Sequence, residues 1–217
     1  MDGYDYFENF DCCQPRTKKP LLLHNRIGKK MRLISDPFSW LSPTARKRLW
    51  VGSLLISAVS ILAIKWLDAS LVTDAAPSGI ISFEFAGSMN RAQQILSSWD
   101  ADAKIRCALS LGIDYLFLIA YALFISIACT NIARKLKIQR LFAAKVGFLL
   151  GWAQFIAAVL DSIENTALIR LLLGSQQEVY AWMAWGCAGV KFILVGSGLL
   201  YMVSGFIHIM IFQSGTD

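Results

Sequence analysis

Charge is what this sequence has little of. Asp, Glu, Lys and Arg make up 17% of its 217 residues, while hydrophobic residues reach 56%. A water-soluble fold of this size has too small an interior for so much apolar surface, and a disordered chain needs the opposite balance. Histidine is nearly missing. His24 and His208 are the two in the chain, which leaves no basis for a bis-histidine haem or a His-rich metal centre. The five cysteines contain no CxxC spacing. Cys12 and Cys13 are adjacent and read as free thiols or acylation sites, so a disulfide-stapled secreted scaffold does not fit either. There is no Walker motif, GxSxG, HExxH or GxGxxG. Gly196-Ser197-Gly198 lies in an apolar run and reads as a packing element, not a phosphate cradle.

Long apolar runs are what remains. The mean hydropathy is +0.51, and four stretches, at about 49–67, 107–129, 146–173 and 180–212, reach the roughly 20 apolar residues that a spanning helix needs. The fold class expected is an all-α polytopic membrane protein. It is a bundle of four transmembrane helices occupying 46–213, behind a polar and basic N-terminal tail over 1–45. Ser42-Pro43 supplies an N-cap and a first-turn proline, so the first helix should begin ahead of its apolar run. The first thirty residues hold no apolar stretch before a small-residue cleavage site, so no cleavable signal peptide is expected. Met31 is a candidate alternative start. Residues 21–33 are basic and partly amphipathic, and read either as a segment lying on anionic lipid or as a solvated tail.

The net charge of +6 is distributed unevenly. Ten of the 21 Lys and Arg residues precede Leu49, and Arg134, Lys135, Lys137, Arg140 and Lys145 fall in the 131–145 loop, which has no acid. Such clusters mark cytoplasmic segments, so both termini are expected on the cytoplasmic side, and nucleic acid is not an expected partner. In the 68–106 loop, Phe85, Met89, Ala92, Leu96 and Trp99 recur at helical spacing opposite Ser88, Arg91 and Gln94. This predicts one amphipathic helix over about 82–99 on the outer surface.

Ionisable groups inside a span cost roughly 2.5–3.5 kcal/mol each on insertion scales. Here they are Asp114 in the second span, Asp161 and Glu164 in the third and Lys191 in the fourth, while Lys65 and Arg170 lie near span ends and can snorkel. At 1.5 Å per residue, Asp114 lies about 10 Å into its span, Asp161 about 22 Å along the next and Lys191 about 15 Å into the last. All three are thus expected in the outer half. Gln154, Asp161 and Asn165 share one helical face, with Glu164 beside them and Arg170 half a turn away. The expected intramembrane polar cluster is Asp114, Tyr115, Asp161, Glu164, Asn165, Lys191 and Gln154, with Tyr121 and Ser110 in reach. It reads either as an ion-pair network that fixes helix register or as a site that relays protons, binds a cation or holds a polar headgroup.

Other groupings are weaker. Ser53, Ser57 and Ser60 on the first span, and Gly186, Gly189, Gly196, Gly198 and Gly205 on the fourth, read as close-packing faces. Ser197, Ser204 and His208 share a face of the fourth span, where His208 is a candidate axial ligand for a single-ligand pigment. Cys107 and Cys187 both lie near outer span ends and read as apolar fillers, with a pairing between them as the alternative. No metal site is expected.

SFEFAGS…ILSSWD ahead of the second span, LGIDYLF within it and LDSIENTALIR in the third together resemble small four-span bacterial membrane proteins of uncharacterised function. The resemblance covers about residues 65–200 and implies the topology, with no activity attached; the expected location is a bacterial inner (plasma) membrane. With no catalytic motif, the expected function is an accessory or structural subunit of a larger membrane complex. The alternative is a lipid-binding protein or enzyme, or a proton- or cation-coupled carrier, built on the polar cluster. Membrane lipid is the expected ligand class, with a protein partner or a second copy in the membrane.

Overall fold

The computed structural model describes residues 35–136 and 141–213. Cys12, Cys13, His24, Met31 and the amphipathic segment 21–33 lie outside the described residues, as do Lys137 and Arg140. The described chain is an all-α polytopic bundle, without strands among the described residues. Its helices are α1 (Pro43–Asp68, extended by a 3-10 turn Ala69–Leu71), α2 (Ile80–Glu84), α3 (Met89–Ser98), α4 (Ala101–Leu136), α5 (Leu141–Leu172) and α6 (Glu178–Gln213). Four of them, α1, α4, α5 and α6, are long and apolar enough to cross a membrane. α4 and α6 have 36 residues each, about 54 Å at 1.5 Å per residue, so both outrun the roughly 30 Å hydrocarbon core.

The helix starts follow from local chemistry. Ser42 Oγ accepts the Ala45 N–H at 3.2 Å with Pro43 at the first helical position, which satisfies one of the otherwise orphaned first-turn donors. Asp100 Oδ1 does the same for Ala103 N–H at 2.8 Å. α4 therefore begins six residues before the apolar run at Cys107 that marks it in the sequence. Ahead of α1, residues 35–42 are folded onto the bundle. Trp152 Nε1 donates to Ser35 O at 2.8 Å, Phe38 packs on Phe155 at 6.1 Å between ring centroids, and Asp36 pairs with Arg46 and Arg134.

α4 is the central helix. It packs against α1, α5 and α6, and α5 packs against α6, whereas α1 leans on α4 and makes no comparable contact with α5 or α6. Small residues set the close approaches. Ser53, Ser57 and Ser60 are the buried face of α1, as their spacing predicts. On α6 the expected glycine face is only partly one. A Cβ on Gly198 would come within 2.6 Å of Gln154 and one on Gly205 would strike Ile132, but Gly186, Gly189 and Gly196 have open space. The other close contacts belong to α5, where Gly147 faces Tyr201 and Gly151 faces Thr130.

The segment after α1 corrects the expectation of one helix over 82–99. Gly87 stands at φ 67°, a conformation that a residue with a Cβ rarely adopts, and ends the first helix. Ser88 Oγ then caps α3 through Arg91 N–H. The register shifts accordingly. Met89, Ala92 and Trp99 are buried, but Ile95 takes the place expected for Leu96, and Phe85 is exposed and stacked on Phe192. α2 and α3 form a plug. Phe83, Ile95 and Trp99 pack with Cys107 and Leu111 of α4, Leu168 and Leu171 of α5 and Ala184 of α6. The Trp99 indole donates to Leu71 O at 2.9 Å. Cys107 and Cys187 are both free thiols, and Cys107 is a filler in this apolar core.

Candidate functional site

Below the plug the charged residues of α4, α5 and α6 converge. Lys191 Nζ lies 2.7 Å from Asp161 Oδ1 and 2.8 Å from Glu164 Oε2. Tyr121 donates to the other Asp161 oxygen at 3.0 Å. Glu164 is fully buried; its contact with Lys191 is poorly aimed for a hydrogen bond, and Oε1 has no donor. Asp114 takes the Asn165 amide N–H at 2.6 Å and is half-buried beside the others.

Two residues expected in this cluster act elsewhere. Gln154 is buried two turns from Asp161 and ties α5 to α6 through Leu194 O at 3.1 Å. Tyr115 bonds Thr166 at 2.9 Å and Ser162 O at 3.3 Å, which joins α4 to α5 beside the charges. Ser110 is buried but does not line the groove described below. Lys65 and Arg170 are exposed. His208 is half-buried on the last turns of α6, about 25 Å along the helix from Lys191.

The structure adds one member that the spacing did not suggest. Glu84, on α2, is nine-tenths buried; its Oε2 lies 4.0 Å from Lys191 Nζ, and that oxygen accepts no hydrogen bond. The signal lay in Ile80-Ile81-Ser82-Phe83-Glu84-Phe85, an acid enclosed by an apolar run. The apolar stripe read over 82–99 did not include this acid. Glu84 lies outside the spanning helices, and burial pushes its carboxyl up to about 7, against the attraction of Lys191.

One ammonium therefore faces four carboxylates. Unit charges 4 Å apart interact by about 4 kcal/mol at an effective dielectric of 20. Ionised together, the four acids would leave a large uncompensated repulsion, and the deficit calls for protons or a cation. Among the described residues no three His, Cys, Asp or Glu side chains are placed to hold a metal ion.

The cluster opens sideways. Because α1 rests chiefly on α4, a trench separates α1 from α6, floored by α4. At the plug end it widens into a groove of about 480 Å³ lined by Glu84, Asp114, Asp161 and Lys191 at its polar end. Phe117, Tyr121 and Phe192 stand beside these charges, and Leu54, Ile61 and Val195 continue the wall. Exposed Trp66, Trp182 and Trp185 mark this end of the bundle, and exposed Trp40 and Trp152 the other, as interfacial tryptophans do. Lys191 follows Trp185 by six residues, about 9 Å deeper along α6. The acids thus face an apolar passage open toward lipid, capped from the end by the plug.

Fold and site together define a class: a four-span helical bundle with an intramembrane acid cluster at the end of a lateral apolar groove. Compared with protein-family models, curated proteins and solved structures, the chain matches none of them.

Proposed function

We propose that this protein binds an amphiphile with a cationic, ammonium-type headgroup. The headgroup sits between Glu84 and Asp114 against the faces of Phe117, Tyr121 and Phe192, and the tail lies along Leu54, Ile61 and Val195. The observation that carries this reading is the excess of buried acid over Lys191 at the closed end of a groove that is otherwise apolar. Carboxylates beside aromatic faces are the chemistry that recognises alkylammonium groups, and an apolar channel removes a chain from competing polar contacts. The excess of Lys and Arg at the end of the bundle bearing Arg46 and Arg134 supports a cytoplasmic position for that end and for both termini. The sequence resemblance favours a bacterial plasma membrane. A second reading, a subunit of a larger membrane complex, is favoured by the exposed apolar residues and open glycines of α6.

The test is equilibrium binding of a fluorescent alkyltrimethylammonium probe to the full chain in nanodiscs of neutral lipid. Unlabelled ammonium, sulfate and alcohol of equal chain length serve as competitors. The ammonium compound should compete at least about tenfold better than the alcohol, and Glu84→Gln should remove most of that advantage. Equal competition by all three, or an unchanged Glu84→Gln variant, overturns the proposal.

A further inference from the structure

The trench does not end at the acid groove. Trp50 stacks on Phe124 with ring centroids 5.5 Å apart and narrows it. On the far side a second groove of about 510 Å³ continues between α1 and α6, walled by Ile132, Met202, Val203 and Phe206. Through Trp50 and Asn131 that groove joins a small polar pocket of about 240 Å³ that also includes Arg46, Lys47 and Arg134. Lys135 stands at the groove's rim.

Two buried donors on residues that line this pocket have no acceptor. Arg46 is 4% exposed, and its Nε–H has no acceptor, although its other nitrogens reach Phe38 O and, at 4.0 Å, Asp36. The Trp50 indole N–H is buried and equally without an acceptor. A buried donor left unpaired costs about 1–3 kcal/mol, so two at one place point to an acceptor that belongs there. Among the described residues Asp36 is the acid paired with Arg46 and Arg134, and it does not line the pocket. The cations outnumber it, so the missing acceptor is anionic. The adjoining groove is apolar and of about the same volume as the one at the acid end.

We infer that this end of the trench binds a phosphate-bearing lipid, its phosphate oxygens accepting from Arg46 Nε and Trp50 Nε1 between Lys47 and Arg134, and one acyl chain lying in the groove beyond Trp50. Basic pockets between spanning helices recognise phospholipid headgroups by this chemistry. The site does not depend on the ammonium reading of the acid groove.

Native mass spectrometry of the full chain in mild detergent tests it, with phosphatidylglycerol, phosphatidylcholine or inorganic phosphate added separately. Phosphatidylglycerol should bind at least about tenfold more tightly than phosphatidylcholine, and each of Lys47→Gln and Arg134→Gln should weaken it about fivefold. Trp50→Phe keeps the ring stack, removes the N–H and should also weaken binding. Val203→Trp fills the groove and should abolish lipid binding. Glu84→Gln should change nothing, which separates this site from the ammonium site. Equal binding of the two lipids, or phosphatidylglycerol binding indifferent to Trp50→Phe and Lys47→Gln, overturns the inference. Inorganic phosphate displacing phosphatidylglycerol, with Val203→Trp without effect, would reassign the pocket to a free anion and overturn the lipid.

Discussion

The two ends of the trench share their walls and differ in where their charge comes from. At the plug end the charges project from within α4, α5 and α6, with Glu84 added from α2. Lys191, Asp161 and Glu164 are nearly inaccessible and must satisfy one another or a ligand. At the other end Lys47 and Arg134 sit near helix termini, close to exposed Trp40 and Trp152 and within reach of water. Charge near a terminus is inexpensive and can recruit a ligand from a surface. Charge buried nine residues past Trp152, as Asp161 is, is retained only if something compensates it. The same packing choice, α1 resting chiefly on α4, creates both grooves. They differ in the side chains at each end.

Lys191→Met should break the comparison most severely, because it leaves several buried carboxylates without the cation paired with them. A loss of about 3–5 kcal/mol is expected when one partner of a buried pair is removed, read as lower Tm and poor recovery of monodisperse protein. Adding Asp161→Asn and Glu164→Gln should restore folding. Failure of that rescue would show that Lys191 does more than balance charge.

Helix approach comes next. Gly198→Ala drives a methyl into Gln154 and Ile125 and should cost about 1–3 kcal/mol by overpacking. Gly186→Ala meets open space and should leave Tm unchanged in the isolated protein. If Gly186→Ala also destabilises, the outward face of α6 is packed against something.

The pH response is smaller and confined to the plug end. The Glu84 carboxyl, raised from 4.5 to about 7, faces Lys191 on α6, Asp161 and Glu164 on α5 and Asp114 on α4. The folded chain holds a proton there that the unfolded chain has already lost, so this group's contribution to stability falls as pH rises from about 4.5 through 7. Ammonium binding should run the other way and tighten as Glu84 ionises, by about tenfold at most for one added charge. Phosphatidylglycerol binding at the basic end should hold steady over the same range. Parallel pH profiles at the two ends would erase the distinction between them.

Much of this was written in the sequence. The four spans follow from run length alone, and the serine face of α1 from spacing. Asp114, Asp161, Glu164 and Lys191 stand out because a bilayer makes such residues costly. Glu84 was hidden because burial of its segment depends on a break at Gly87 that periodicity steps over. The glycines of α6 look alike in sequence, yet only Gly198 and Gly205 face a neighbour, since composition does not say which way a helix turns. Gln154 shares a helical face with Asp161 but ties backbone to backbone, because two turns separate it from the charges. Least legible was the trench, which exists because α1 and α6 fail to pack.

Photocrosslinking with a diazirine-bearing alkyltrimethylammonium compound tests the central claim most directly. The account predicts adducts on groove residues such as Leu54, Phe117 and Val195, suppressed by excess unlabelled ammonium and lost in Glu84→Gln. Adducts spread over the lipid-facing surfaces of α1 and α6, insensitive to the competitor and to Glu84→Gln, would contradict it.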